Sequence, residues 1–428
     1  MPPLRRFPFL VLLSLLSFAR ANPGPGDTYR EFTWLPEGKG PKSRWQRITG
    51  PDTKNERAMR FLPNPVNKVL VTDLAQAERA KLQLELLQCH VGTIGHAFRI
   101  NGGDWVRIPP SSAIPGKLGA SDGHPQQWQS MRYPSMPVAV GALKEGENTL
   151  EFTCKPGFGL GSNWPQSLIN GAILRVYYGA AKSHVSGRIT VSPPRDPATA
   201  GVQLTFALEK DSPSVDRVDY IGHYLGFDWR GEGSYLEWHY NFRRGELTRH
   251  FGGADRAPWS VHWDTSWVPV QSAPVQVMAR ITDSTGLCHL TQPIPLADLN
   301  PPKGQRVQLI EPYAIPPRWH VRANRRMGCK VRFPDDLSRL REVRVILCSW
   351  NGHGADTIGI NDTVMVADIG RNHDLSYDVL TVPIGAIKPG ENEFVVTSKT
   401  KEHGIEVQWP GFVVLARFSD AEAPEAEP

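Results

Sequence analysis

One eight-residue phrase occurs twice in the chain. Gly141-Ala142-Leu143-Lys144-Glu145-Gly146-Glu147-Asn148 and Gly385-Ala386-Ile387-Lys388-Pro389-Gly390-Glu391-Asn392 agree at six of eight positions. The flanks agree in order as well. Cys89 stands 12 residues before Asn101 and Cys348 stands 13 before Asn361, and each copy ends in a glycine-led apolar run, from Gly171 and from Gly411. A chain of 428 residues that carries one such unit twice has to fold that unit twice and give each copy its own core.

The period of the apolar residues says what the unit is made of. In Lys81 to Leu86 leucines alternate strictly with polar residues, the pattern of a half-buried strand. Val202, Leu204, Phe206 and Leu208 share a face, as do Val275, Val277, Ala279 and Ile281, and as do Val343, Val345 and Leu347. Helical periodicity is confined to short stretches near Asn55–Phe61 and Asp73–Ala80. The expected fold class is all-β. Between turn-rich stretches at 183–201 and 297–304 lies a region without a repeat, whose length suits an immunoglobulin-like sandwich, although the Cys…Trp…Cys pattern is missing.

The N-terminus reads as an export leader. Arg5 and Arg6 precede an apolar run from Phe7 to Phe18, and Ala19 and Ala21 are the small residues of a cleavage site, so a secreted or periplasmic protein cut near Ala21 is expected. Arg5, Arg6 and Arg20 account for more than half of the formal charge of +5, which argues against a nucleic-acid partner. No second apolar run reaches the roughly 18–20 residues of a transmembrane segment. With 39 Gly, 38 Pro and 21% charged residues, a turn-rich folded chain is favoured over disorder. Export permits disulfides, and Cys89 with Cys154 and Cys329 with Cys348 could each bridge within one repeat. That would leave Cys288 over for an interchain bond.

The repeated phrase resembles the strand-turn-strand segment of galactose-binding-domain-like jelly rolls, modules that accompany many secreted carbohydrate-active enzymes. Phe98-Arg99-Ile100-Asn101-Gly102-Gly103-Asp104-Trp105 is similar to a hairpin of the same modules, with an Asn-Gly turn. The resemblance covers roughly 60–178 and 305–418 and implies a jelly-roll β-sandwich for each; with the readings above, the expected organisation is two jelly-roll β-sandwiches over 22–182 and 302–420 flanking a middle immunoglobulin-like β-sandwich over 187–300, with a leader over 1–21 and an acidic tail over 421–428. The resemblance also implies a polysaccharide or glycan as the partner.

Candidate residues follow from chemistry. The 13 Trp exceed what turns need, and core packing should claim most of them. Trp105 and Trp128, set among Gly, Pro and polar residues, could stack on a pyranose while Asn101 bonds its hydroxyls. Trp350, Asn351, His353, His373 and Trp409 gather loop aromatics, amides and imidazoles in the second copy, where His403 lies near. Asp228-Trp229-Arg230-Gly231-Glu232-Gly233 resembles a calcium loop, with Glu237 as a further ligand for Ca2+, although Arg230 stands where a carboxylate should. The same carboxylates, with Asp264, could instead serve glycoside hydrolysis. No G-x-S-x-G, H-E-x-x-H, P-loop or dinucleotide glycine pattern is present. The reading that results is an exported carbohydrate-binding protein without catalysis. The alternatives are a polysaccharide lyase or glycoside hydrolase, and a structural surface protein.

Overall fold

The computed structural model describes residues 23–37, 44–87, 93–109, 131–156, 166–194, 196, 199–210, 212–231, 233–296, 298–316, 319–366 and 369–420. The expected leader and tail, Cys89, Trp128 and Glu232 lie outside these residues. The chain is all-β: its sheets are antiparallel, and the one α-helix among the described residues is the single turn Glu56–Met59, capped by Asn55. The second helical expectation is corrected. Asp73 and Gln76 hold positive φ in a turn, and the strand Ala77–Leu87 follows at once.

The two copies share one topology. In the first, one sheet orders the strands Thr28–Trp34, Gln166–Tyr178, Ala77–Leu87 and Ser135–Val138, and the facing sheet orders Asn67–Val71, Gly146–Pro156, Thr93–Ile100 and Val106–Arg107. In the second, the same places are taken by Gln305–Ile310, Val413–Ser419, Leu340–Trp350 and Leu375–Val382, and by Arg325–Phe333, Gly390–Ser398, Thr357–Ile360 and Thr363–Val366. The register agrees residue by residue. Leu82 pairs with Leu174 and Met136 as Val345 pairs with Val414 and Leu380, and Phe32 faces Leu174 as Ile310 faces Val414. Alternate residues of these strands fill a core in each copy, with Leu82, Leu84, Phe152 and Leu174 in one and Val345, Leu347, Phe394 and Val414 in the other.

The repeated phrase explains itself in this frame. Asn148 Oδ1 accepts from the Lys144 amide while its Nδ2 donates to the carbonyls of Lys144 and Gly146, and Asn101 donates to Asn148 Oδ1 and accepts from the Thr149 amide. Asn392 and Asn361 repeat every one of these bonds around Lys388, Gly390 and Glu393. Gly146 and Gly390 turn the chain at φ +93° and +75°, where an L side chain is strained.

The central region has its own core around Leu204, Phe206, Tyr220, Trp263 and Val277. Its larger sheet is not separate. Strand Leu287–Leu290 pairs with Thr28–Trp34, so the first copy and the central region share one twelve-stranded sheet. The second copy joins by its face instead, where Val307, Ile346, Val413 and Leu415 pack on Phe227, Trp229 and Trp267. No helix among the described residues is long and apolar enough to cross a membrane.

Candidate functional site

All three parts meet at one junction. The first copy contributes Met131, Tyr133 and Leu168 and the second Cys348, Trp350 and Leu375, with Trp45 edge-on to Trp350 at 6.5 Å. Strand register sets the correspondence between copies: Met131 is equivalent to Leu375, Tyr133 to Tyr377 and Glu85 to Cys348. Met131 and Leu375 share the apolar cluster, and Tyr133 is hydrogen-bonded to Tyr377 across the junction. From the central region the hairpin Asn241–Arg243 and Glu246–Thr248 lies over it. At the hairpin tip Arg244 and Gly245 hold φ +53° and +78°, and a Cβ on Gly245 would come within 2.9 Å of Thr33.

The junction is rich in charge. Arg243 donates to Asp374 Oδ1 at 2.8 Å, while Arg44, Arg244 and Arg371 stand 3.7, 3.8 and 3.9 Å from Asp374 Oδ2. Glu85 accepts from the Arg244 amide at 2.5 Å and lies 3.6 Å from Arg243. Burial pushes the Glu85 carboxyl up to about 7, against the pull of Arg243 and of the Arg244 and Gly245 amides. A cleft of about 490 Å³ opens here, walled by Tyr133, Arg243, Arg249, Arg371, Tyr377 and Asp378. Arg249 lies over the rings of Trp229 and Tyr377 at 4.2 and 4.7 Å.

A second cleft, of about 860 Å³, opens on the first copy beside the same aromatic cluster. Trp34, Trp45, Phe61 and Val66 wall it, and Phe61 and Val66 are 41% and 56% exposed. Gln46 and Asn67 hold each other by reciprocal amide bonds of 2.9 and 3.1 Å at its polar side. Arg47 lies over Phe61 at 4.0 Å and over Trp45 at 5.6 Å. Sequence reading missed both clefts, because Trp34, Trp45 and Phe61 come from separate segments and no phrase brings them together.

The residues singled out in the sequence fall in different places. Trp105 is 45% exposed, with Arg99 over one ring face at 4.6 Å and Glu151 holding that guanidinium by two bonds. Asn101 is engaged in the turn clamp. Asn351, at φ +54°, donates to the carbonyls of His403 and Gly404 and accepts from the His373 amide. This brings the His373 and His403 rings to 4.9 Å, and burial, then His403 and Arg44, holds the His373 imidazole below its ordinary value. His353 is exposed, and Trp350 is buried in the junction.

Trp409 and Asp228, picked for different chemistries, bond each other: the indole donates to Asp228 Oδ2 at 3.2 Å. The same oxygen accepts from the Gly233 amide at 2.6 Å, and Glu237 accepts from the Trp229 amide at 3.0 Å. Two of the three expected calcium ligands thus turn onto loop amides. Among the described residues no group of three His, Cys, Asp or Glu is placed to hold a metal ion.

Two cysteine expectations need correction. Cys329 and Cys348 are free thiols, since Cys329 points into the second core and Cys348 points out of the other sheet into the junction. Cys288 is free but only 2% exposed beneath Arg280, out of reach of an interchain bond.

No protein-family model and no curated protein sequence matches the chain. Among solved structures it is similar to a β-porphyranase of glycoside hydrolase family 86 from Bacteroides plebeius, with 11% identity over 57% of this chain and 38% of that one, at a TM-score of 0.22. A β-glucuronidase from an uncultured Clostridium species shows 11% identity over 71% and 50%, at 0.23. The VP2 subviral particle of infectious bursal disease virus shows 10% over 83% and 75%, at 0.20. The chain spans about a third to a half of the length of these glycoside hydrolase chains.

Proposed function

We propose that this chain is an exported protein that binds a polysaccharide or glycan and leaves it intact. The observation that carries the reading is the aromatic cleft of the first copy. Trp45 and Phe61, over a floor formed by the buried Trp34, offer apolar surface for the C–H side of a sugar, and the Gln46–Asn67 amide pair keeps spare donors and acceptors for its hydroxyls. Trp105 adds an exposed face on the same copy. The proposal keeps the leader over 1–21 and three domains over 22–182, 187–300 and 302–420, the first two fused through one sheet.

A glycan array probed with the purified chain, followed by mass spectrometry of the incubated saccharides, tests the reading. Retention of intact oligosaccharide, weakened at least fivefold in Phe61→Ala, is the expected result. Shortened products would move the protein to the lyases and hydrolases, and the absence of retention on a broad panel would sink the proposal.

A further inference from the structure

We infer that the cleft where the three parts meet is a receptor for an acidic sugar, one carrying a carboxylate or a sulfate ester. The inference rests on the glycan reading but concerns a different cleft. Among the described residues the cleft wall carries three guanidinium groups, those of Arg243, Arg249 and Arg371, and one carboxyl group, that of Asp378, while Arg44, Arg243, Arg244 and Arg371 gather around Asp374 beside it and Arg243 also reaches Glu85. The carboxyls are already engaged within the protein. Asp374 takes a hydrogen bond from Arg243 and one from the Leu375 amide, and Asp378 accepts from the Gly370 amide and the Ser376 hydroxyl. Glu85 is held partly protonated near neutral pH by its burial.

The positive surplus is therefore real and points outward. Arg371 is 72% exposed, stands 3.9 Å from Asp374, and keeps its fork of donors for a ligand. Arg249 is part-exposed in the same cleft, its guanidinium lying over the rings of Trp229 and Tyr377. Two such forks in one concave site suit the paired oxygens of a carboxylate or sulfate. A bare anion needs little else, whereas this cleft is about 490 Å³ and also presents Thr248, Ser376 and Tyr133 for hydroxyls.

Calorimetric titration of the purified chain tests the inference. The ligands are a galacturonate trisaccharide, a sulfated galactose trisaccharide and the neutral galactose trisaccharide, against wild type, Arg371→Ala, Arg249→Ala, Arg371→Lys and Phe61→Ala. One acidic ligand should bind at least tenfold tighter than the neutral one, and which of the two does so identifies the substituent. That advantage should fall at least fivefold in each alanine variant and return in part with lysine. Equal affinity for acidic and neutral ligands, or alanine variants that keep the advantage, would overturn it. Neutral binding lost only in Phe61→Ala, with no acidic preference, would refute this inference and leave the glycan reading standing. Binding of none of the three would refute this inference, and with no retention on the broad panel it would refute the glycan reading as well.

Discussion

The two copies fold alike and attach differently, and the difference lies in three equivalent positions on one sheet face. In the first copy these are Gln83, Arg175 and Glu31; in the second they are Ile346, Leu415 and Leu309. The first set forms a buried charge ladder. Arg175 donates to Gln83 and, at 2.7 Å, to Glu31, which also accepts from Arg280 at 2.7 Å, and Arg280 reaches Asp219 at 3.4 Å in the central region. Burial alone would raise the Glu31 carboxyl, yet Arg280 and Arg175 hold it below its ordinary value. The second set is apolar and meets Phe227 and Trp267 without direction. A ladder fixes register along a continuous sheet, whereas an apolar face fixes only proximity.

Removing one rung should therefore show the largest effect. Arg175→Ala leaves Glu31 a buried carboxylate with one partner fewer and should destabilise the chain by about 3–5 kcal/mol. The first copy and the central region should melt together in that variant. Phe227→Ala should cost about 3 kcal/mol at the other attachment and release the second copy as a separate transition. Denaturant melts followed by fluorescence and by limited proteolysis read both. Separate melting of the first copy and the central region in wild type would break the comparison.

The positions Glu85 and Cys348 sharpen it through pH. The folded carboxyl of Glu85 titrates near 7, above its unfolded value, so the folded state holds the extra proton between the two. Stability should fall as pH rises across that window, by at most about 3 kcal/mol at pH 8. Glu85→Gln removes the charge and should flatten the profile, leaving the variant more stable than wild type above pH 7. The equivalent Cys348 thiol is pushed up to about 12 by burial and contributes nothing to that range. Thermal melts from pH 4 to 8 decide it, and a wild-type profile that rises with pH would refute the assignment.

How much of this was legible in the sequence depends on distance along the chain. The clamp of Asn148 spans four residues, so the phrase that makes it repeats intact and announces both copies. Asn148→Ala and Asn392→Ala should accordingly cost about 2 kcal/mol each, by the same loss of buried bonds. Strand alternation is local too, and the strands holding Val202, Val275 and Val343 fall where it placed them. The pairing of Tyr29 with Cys288 closes across most of the chain, between edge strands that carry no mark of their partner. Trp350 and Trp409 stand beside Asn, Gly and Pro, which read as loops, but a loop beside an interdomain face is buried. The asparagines Asn101 and Asn351 looked like ligand amides because sequence shows their polarity and not the backbone groups they satisfy.

The smallest expected effect on stability belongs to Trp105, and it bears on where the copies diverge in function. The hairpin after Asn101 carries this exposed indole under Arg99, whereas the hairpin after Asn361 runs into the strand Thr363–Val366 and exposes Val364 to 62%. An indole buried on one face only contributes little packing, so Trp105→Ala should change stability by less than about 0.5 kcal/mol. If stacking on a sugar matches that of an aromatic pair, about 0.5–1.5 kcal/mol, retention on a bound glycan should weaken roughly two- to tenfold in the same variant. Val364→Ala should alter neither quantity. Affinity electrophoresis in a glycan-loaded gel separates these outcomes: equal retardation of wild type and Trp105→Ala would assign the binding of the first copy to the Trp34–Phe61 cleft alone, and retardation lost in Val364→Ala would place it on the second copy.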